Sequence, residues 1–388
     1  MAGYIISLDS HISLRMYVEH GVYATKLNPP NRYWRPHHEA TFADYVTMRP
    51  EDNVYFFIRR KIYGIGELVA VTGEGGLGAC HFLNFTGANS PINFPYPSVA
   101  HQLLWDEGPE SVNQRWVCFF RPSPHFFQNG VDMDDVLASN PTRFKMLRAF
   151  WKVSFVKVDD EENQALKDII LRVNEKALIR PTGVTFTSCF RRYQSEIEGI
   201  LNQSYMLEPS QLLVACSRED FLTHEMALEA GLLYQLHKKD PSTIQVFGEW
   251  DYLSHQVIAS PFKPVDYMDR MDIFGYAYVP GFFPTKSKFL VVEIKKDFAQ
   301  ENDIDQVMKY VDWVKDEYCS GDYSMIKAFM VAYDFSKDVI KRADKVGRRT
   351  YTIGHRPARS GEWSDLKLVK YTFDQQTGLL RFYEISTT

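Results

Sequence analysis

The sequence has few cysteines, and no motif joins them. Its 388 residues contain five cysteines, widely spaced and never in a Cys-x-x-Cys pair. Such a set predicts neither a disulfide framework nor a zinc knuckle, and it is typical of a reducing compartment. The sequence also lacks a His-Glu-x-x-His motif and a Gly-x-Ser-x-Gly elbow, which argues against zinc peptidases and serine hydrolases.

Long apolar runs and a surplus of positive charge are absent as well. No eighteen apolar residues run together, and the first residues show no basic stretch followed by an apolar one. We therefore expect a cytoplasmic protein without a membrane partner. A net charge of -5 argues against a generally basic nucleic-acid coat, although it leaves room for a locally basic groove.

The length of the chain and its changing texture predict two domains. Residues 1–176 are rich in aromatics, glycine and short alternating runs, and we assign them to an N-terminal sensor or targeting domain. Residues 177–208 are expected to form a connection with a helix near 190–201. In 209–388, helices and strands alternate, as in an α/β domain.

Hydrophobic periodicity places the individual elements. In the first domain it predicts a hairpin at 54–58 and 62–71, and further strands at 115–120 and 151–158. It also predicts short helical turns at 132–138 and 141–148 and a closing helix at 159–175. In the second domain it predicts two helices, at 218–237 and 302–318, and five strands, at 244–250, 257–260, 271–279, 289–295 and 325–333.

One apolar strand carries charges that need an explanation. In FLVVEIKK, Glu293 and Lys295 lie two residues apart and so share a face, while Val292 and Ile294 face the other way. Burying either charge alone costs roughly several kcal/mol. The strand at 271–279 precedes it across a turn-rich link, and the expected hairpin brings Asp272 within reach of Glu293.

Two carboxylates that share a site repel each other unless a cation lies between them, and hard oxygen ligands suit magnesium or manganese. Such an ion lowers the pKa of a bound water and neutralises charge on a phosphate, and a neighbouring lysine can assist either step. The spacing Asp-x(20)-Glu-x-Lys on paired strands therefore predicts phosphodiester hydrolysis. On the helix that follows, Gln306 and Tyr310 lie one turn apart and can support the cluster.

The segments MDIFGYAYV, FLVVEIKK and DIDQVMKYV resemble the catalytic core of the PD-(D/E)XK nuclease superfamily, in its RecB-like branch. The resemblance implies a mixed sheet flanked by helices. It implies Asp272 and Glu293 as ligands of Mg²⁺ or Mn²⁺, Lys295 as the catalytic lysine and Gln306 with Tyr310 as a supporting pair. Met271 stands where the family usually has proline.

Such nucleases often add a glutamate from the helix before the first strand. The segment THEMALEAGLLYQL offers Glu225 and Glu229, one turn apart. We favour Glu225, because it opens a Glu-x-x-Leu-Glu pattern like that of mismatch-nicking nucleases, and Glu229 stays the alternative.

Several motifs have simpler explanations. The Glu-x-Lys triplet alone often marks an edge strand with solvated charges. The segment GEGGLG at 73–78 matches a dinucleotide fingerprint, but no helix pattern follows it, which favours a plain glycine-rich loop. The basic run KRADKVGRR at 341–349 is either a solvated face or a track for a DNA backbone.

The segment DNVYFFIRRKIYGIGELVAV resembles PUA-like β-barrels, including the EVE and YTH groups. That resemblance implies a half that holds a flipped base between aromatic rings, for which Trp34, Trp105 and Trp116 are candidates. The simpler alternative places these tryptophans in the core.

These observations predict a Mg²⁺-dependent endonuclease acting on double-stranded DNA. A variable N-terminal domain joined to this nuclease branch resembles the Shedu class of bacterial anti-phage defence proteins, which implies invading phage DNA as a substrate. The alternatives are a modification-dependent restriction enzyme, a mismatch- or branch-specific repair nuclease, and an inactive nucleic-acid-binding module. Cutting both strands needs two active centres, so we expect a dimer or tetramer.

Overall fold

The chain is a mixed α/β protein with several mixed sheets. It divides into two compact units, Met1–Pro209 and Ser210–Thr388. No helix in the described part of the chain is long and apolar enough to cross a membrane. The computed structural model describes residues 1–26, 36–70, 81–85, 114–148, 154–179, 191–192, 194–195, 210–260, 268–354 and 356–385.

Within these ranges, the elements of the N-terminal unit with described bounds include four α-helices, eight strands and a short 3-10 helix at Pro124–Phe127. In chain order the α-helices and strands are β1 (Gly3–Ser7), α1 (His11–His20), β2 (Val22–Lys26), α2 (Pro36–Val46), β3 (Asn53–Ile58), β4 (Lys61–Leu68), β5 (His81–Phe85), β6 (Gln114–Pro122), β7 (Val131–Asp132), α3 (Met133–Ser139), β8 (Phe155–Val158) and α4 (Asp160–Ile179).

The strands of this unit form one curled, half-barrel sheet. Its order is β2-β6-β4-β3-β1-β8, with β5 beside β6 and β7 beside β4, and β1 runs parallel to β3. The predicted hairpin at 54–71 is confirmed as β3 and β4. Arg59 and Arg60 form its two-residue turn with φ values of 46° and 69°, because such turns need positive φ at both central positions.

Trp116 belongs to the core of the N-terminal unit. It is fully buried and stacks on Phe42 and Tyr45, with ring centroids 5.4 and 5.7 Å away. This supports the core interpretation for Trp116 over a base-binding cage. Trp34, Trp105, the segment 73–78 and most of the predicted helix at 190–201 lie outside the described residues.

The described part of the C-terminal unit contains five α-helices, twelve strands and a short 3-10 helix at Tyr323–Met325. The α-helices and strands are α5 (Ser210–Ala215), β9 (Ser217–Arg218), β10 (Phe221–Leu222), α6 (Glu225–His237), α7 (Pro241–Phe247), β11 (Tyr252–Ile258), β12 (Arg270–Tyr278), β13 (Lys286–Ile294), β14 (Phe298–Ala299), α8 (Glu301–Glu317), β15 (Ile326–Ala332), β16 (Asp334–Phe335), α9 (Lys337–Val346), β17 (Arg349–Ile353), β18 (Arg359–Trp363), β19 (Leu366–Asp374) and β20 (Leu379–Ile385).

Six of these strands form the main sheet, in the order β11-β12-β13-β15-β19-β20. β13, β15 and β19 are parallel, and the remaining pairs are antiparallel. Helices α8 and α9 pack on this sheet, with Ile304 and Val339 meeting Met330 and Leu368 in one buried cluster. Because β13 and β15 are parallel, their carboxyl ends lie at the same end of the sheet.

Three sequence predictions for helices and strands are wrong. The strand expected at 244–250 is instead helix α7, because Asp240 caps its first turn by accepting the Thr243 N–H at 3.0 Å and Pro241 begins the helix. The helix expected from residue 218 begins at Glu225, after two short strands. Residues 141–148 form a turn and bends, not a helical turn.

Candidate active site

The antiparallel pairing of β12 and β13 brings Asp272 and Glu293 opposite each other. Ile273 pairs with Val292, so one further step in the register sets Asp272 against Glu293. The Ile294 N–H also donates to Asp272 Oδ2 at 2.8 Å. Because β13 has hydrogen-bonded neighbours on both sides, the edge-strand interpretation of the Glu-x-Lys triplet is wrong.

Glu293 is a buried carboxylate with one oxygen left over. Its side chain is 1% exposed, and Lys295 Nζ donates to its Oε1 at 2.8 Å. Its Oε2 is buried and has no hydrogen-bond partner among the described residues. Burial raises the pKa of Glu293 to about 7, although the Lys295 ammonium works against this shift. An unsatisfied buried acceptor costs about 1–3 kcal/mol, and a cation at Oε2 would remove that penalty.

Asp272 is partly buried, and both of its oxygens have donors. Oδ2 accepts the Ile294 N–H, and Oδ1 accepts from Gln256 Nε2 at 3.2 Å. Burial raises the pKa of Asp272 well above its usual range, and the negative charges of Glu293 and Glu229 add to the rise. Two carboxylates whose pKa values both rise in one place are typical of a functional site.

Lys295 joins the cluster through its ammonium group. Besides Glu293 Oε1, Nζ reaches the Ile294 carbonyl oxygen at 3.0 Å and Glu225 Oε1 at 3.6 Å. Burial alone would lower the pKa of Lys295, but the surrounding carboxylates outweigh it and raise that pKa. The amine therefore stays protonated, as a donor to negative oxygens and not as a base.

Helix α6 carries both candidates for the additional glutamate of the site, Glu225 and Glu229. Glu225, at its start, is partly exposed and approaches Lys295. Glu229, one turn later, is fully buried, and its Oε1 lies 2.6 Å from His255 Nδ1 while its Oε2 accepts from Gln256 Nε2 at 3.0 Å. The two glutamates thus contact different members of the same cluster.

Helix α8 brings Gln306 and Tyr310 together. Gln306 Nε2 donates to the Tyr310 hydroxyl oxygen at 2.7 Å. Tyr310 is buried, which raises the pKa of its hydroxyl, and the charge of Glu293 raises it further. The Tyr310 hydroxyl is therefore close enough to the carboxylate cluster for the negative charge to raise its pKa.

Two members of the cluster were missed in the sequence. His255 and Gln256 come from β11, the strand beside β12, where the apolar pattern predicted a strand only from Val257 onward. Gln256 contacts both Glu229 and Asp272 through its amide nitrogen. A histidine and a glutamine before a short apolar run carry no recognisable motif, so only the pairing of β11 with β12 reveals them.

The donor set suits a hard divalent cation. Asp272 and Glu293 offer carboxylate oxygens, and Mg²⁺ commonly binds through one or two carboxylates with water and phosphate oxygens as its other ligands. Among the described residues, no group of three or more His, Cys, Asp or Glu side chains could hold a metal by itself. The arrangement fits an ion that shares its coordination with a substrate and fits poorly a fully enclosed structural metal.

Comparisons with known proteins add little. No protein family and no curated protein matches the sequence. The solved structures that are similar to parts of the chain include three with TM-scores below 0.5, which carry no argument about fold or function.

The first of them is a hypothetical protein from Leishmania major, with 12% identity and a TM-score of 0.27, over 46% of this chain and 97% of that one. A repair endonuclease from Pyrococcus abyssi has 21% identity and a TM-score of 0.20, over 34% of this chain and 47% of that one. A protein from Pseudomonas putida has 10% identity and a TM-score of 0.23, over 44% and 99%. This chain thus spans about half the length of the endonuclease.

Proposed function

We propose that this protein is a Mg²⁺-dependent deoxyribonuclease that hydrolyses phosphodiester bonds of double-stranded DNA in the cytoplasm. The observation that carries the proposal is the buried Oε2 of Glu293, which has no hydrogen-bond partner in the described part of the chain, in a cluster with Asp272 and Lys295. A carboxylate kept out of water with one free oxygen has a clear use as a cation ligand.

Each residue has a separate role in this proposal. Asp272 and Glu293 would hold the ion, which when bound supplies charge neutralisation at the phosphate and acidifies a water molecule. Lys295, held protonated by its neighbours, would donate to a negatively charged phosphate oxygen. Gln306 and Tyr310 would orient the cluster from α8, and Glu225 would help to fix the Lys295 ammonium.

The basic run at 341–349 supports a DNA substrate in part. Arg342 and Arg349 are engaged by Asp305 and Asp312 of α8, so they brace the fold. Lys341 and Lys345 are both exposed, and Lys341 Nζ lies 3.9 Å from Asp338 Oδ1, so Lys345 is the better candidate to meet a phosphate backbone. We propose that the biological role is anti-phage defence of the Shedu type, with the N-terminal unit as sensor and a dimer or tetramer as the active form.

The proposal is tested with supercoiled plasmid in the presence and absence of Mg²⁺. We expect the wild type to cut only with the metal, and Glu293→Ala and Lys295→Ala to lose cutting. The matched controls are Glu249→Ala and Lys239→Ala, which break an exposed ion pair of 2.5 Å in the same unit and should cut normally. Equal behaviour of wild type and both site variants would show that the cluster is not catalytic.

An inactive nucleic-acid-binding module is the competing function from a different class. It predicts DNA binding that persists in all variants with no Mg²⁺-dependent cutting in any. Cleavage assays on plain, methylated and mismatched duplexes separate the defence nuclease from restriction and repair enzymes, because only the last two require a modification or a mismatch.

A further inference from the structure

Gln256 has an unusual backbone for a residue inside a strand. Its φ is +51°, in the left-handed region, while His255 and Val257 on either side pair normally with Ile273 and Met271 of β12. A residue with a side chain avoids this region, because its Cβ comes too close to the backbone. Such strain persists only where surrounding contacts hold it, and it is concentrated at functional sites.

The side chain of Gln256 provides those contacts. One amide nitrogen, Nε2, donates to Glu229 Oε2 at 3.0 Å and to Asp272 Oδ1 at 3.2 Å. The second oxygen of Glu229 lies against His255, and that of Asp272 accepts the Ile294 N–H. The glutamine thus completes the set of donors around both acidic side chains.

A neutral amide suits this position better than any charged group. Two nearby carboxylates repel each other, and a bridging NH₂ group lets both stay in place without cancelling their negative charge. A lysine would neutralise the charge that a cation needs, and a glutamate would add to the repulsion. Asparagine tolerates the left-handed backbone, but it is one methylene shorter and would not span both carboxylates.

We infer that Gln256 is a positioning residue, whose left-handed backbone aims one amide group at Glu229 and Asp272 and so fixes the Asp272 carboxylate for a divalent cation. The inference rests on the proposed function, because it assigns Gln256 a role toward the same cation. It gives a residue of β11, the strand that also carries His255, a role toward the carboxylates of α6 and β12.

The test measures Mg²⁺ affinity by titration calorimetry on wild type, Gln256→Asn and Gln256→Gly. Loss of an indirect contact to a metal ligand typically weakens affinity by about 10–100-fold, and we expect a loss in this range for both variants. Raising the Mg²⁺ concentration should restore most of the kcat, because Lys295 and Glu293 are untouched. Unfolding followed by circular dichroism in metal-free buffer shows whether each variant is folded.

Ser320→Gly is the matched control, because Ser320 also has a φ of +51° but is exposed in a turn away from the cluster. It relieves the same kind of backbone strain and should leave Mg²⁺ affinity unchanged. Folded Gln256 variants with wild-type affinity would overturn the inference while leaving the nuclease proposal standing. A wild type that cuts no plasmid at any Mg²⁺ concentration would instead remove the proposed function, and the role of Gln256 with it.

Discussion

A buried glutamate of the N-terminal unit and one of the C-terminal unit differ in their hydrogen-bond partners. Glu162, on α4 of the N-terminal unit, and Glu293, on β13 of the C-terminal unit, are both 1% exposed. Glu162 accepts the backbone N–H groups of Lys145 at 2.6 Å, Leu147 at 3.0 Å and Met146. Glu293 has a donor at one oxygen and none, among the described residues, at the other.

Burial alone therefore does not distinguish a structural carboxylate from a candidate catalytic one. Burial raises both pKa values, to about 8 for Glu162 and about 7 for Glu293. Glu162 uses its oxygens to close a loop, which satisfies donors that would otherwise be left unpaired. Glu293 Oε2, by contrast, has no donor among the described residues, and this unused acceptor is what points to a ligand.

The largest expected effect is on catalysis in Glu293→Gln. We expect plasmid cleavage to fall by more than about a hundredfold, because direct metal ligands matter more than the contacts behind them. The fold should be retained in metal-free buffer, since the amide removes a buried charge. Initial cleavage rates and melting temperatures measure the two effects, and cleavage close to wild type would make Glu293 as structural as Glu162.

The converse change, Glu162→Gln, should reduce stability without affecting chemistry. An amide nitrogen in place of one oxygen would face a backbone N–H, and an unsatisfied buried group costs about 1–3 kcal/mol. Urea unfolding gives the free energy of unfolding, and plasmid cleavage by the folded fraction should equal that of wild type. A loss of cleavage in the folded variant would break the contrast between the units.

The pH dependence of stability should separate wild type from Glu162→Gln. Folding raises the pKa of Glu162 from 4.5 to about 8, mainly through burial and then through repulsion by Asp159. The folded state therefore holds the proton more tightly, and this contribution is full below about 4.5 and is lost as pH rises toward 8. The slope reaches at most about 1.4 kcal/mol per pH unit.

This slope is read from the difference in unfolding free energy between the two proteins across that pH range. A difference that stays constant with pH would mean that Glu162 keeps the same charge in the folded and unfolded states. The subtraction removes the contribution of groups that titrate alike in both proteins.

The smallest effect is expected for Gln306→Ala. The change removes one hydrogen bond to Tyr310, and such a bond contributes about 0.5–1.5 kcal/mol, so cleavage should fall by about tenfold or less. Steady-state cleavage rates, compared with those of Lys239→Ala, measure this. A loss as large as that of Glu293→Gln would show that Gln306 contacts the reacting groups directly.

The sequence predicts the strands of this fold well where apolar patterning and turn signals agree. Both central hairpins, β3–β4 and β12–β13, and helix α8 lie where the periodicity predicts them. The error at 244–250 arises because a short apolar run suits a strand or a helix equally, and only the preceding Asp240-Pro241 cap distinguishes them. Boundaries set by such caps are outside the reach of periodicity.

The candidate site divides in the same way. Asp272 and Glu293 lie on strands whose pairing is evident from the sequence, Lys295 directly follows the second strand, and the structure brings these side chains together. The sequence could not rank Glu225 against Glu229, because residues one turn apart on a helix share a face. Gln256 was not predicted, because its role depends on a backbone angle and on a strand pairing that no residue pattern encodes.

The hydrogen bond from the Ile294 amide to Asp272 links the register of the β12–β13 hairpin to the geometry of the site. This hydrogen bond joins β12 to β13 and also belongs to the carboxylate cluster. A shift of one residue in the pairing of the two strands would turn Glu293 to the opposite face from Asp272 and break the bond. The native register of β12 and β13 and the juxtaposition of the two acidic residues therefore depend on each other. The strand pairing that builds this hairpin therefore also places Asp272 and Glu293 on one face.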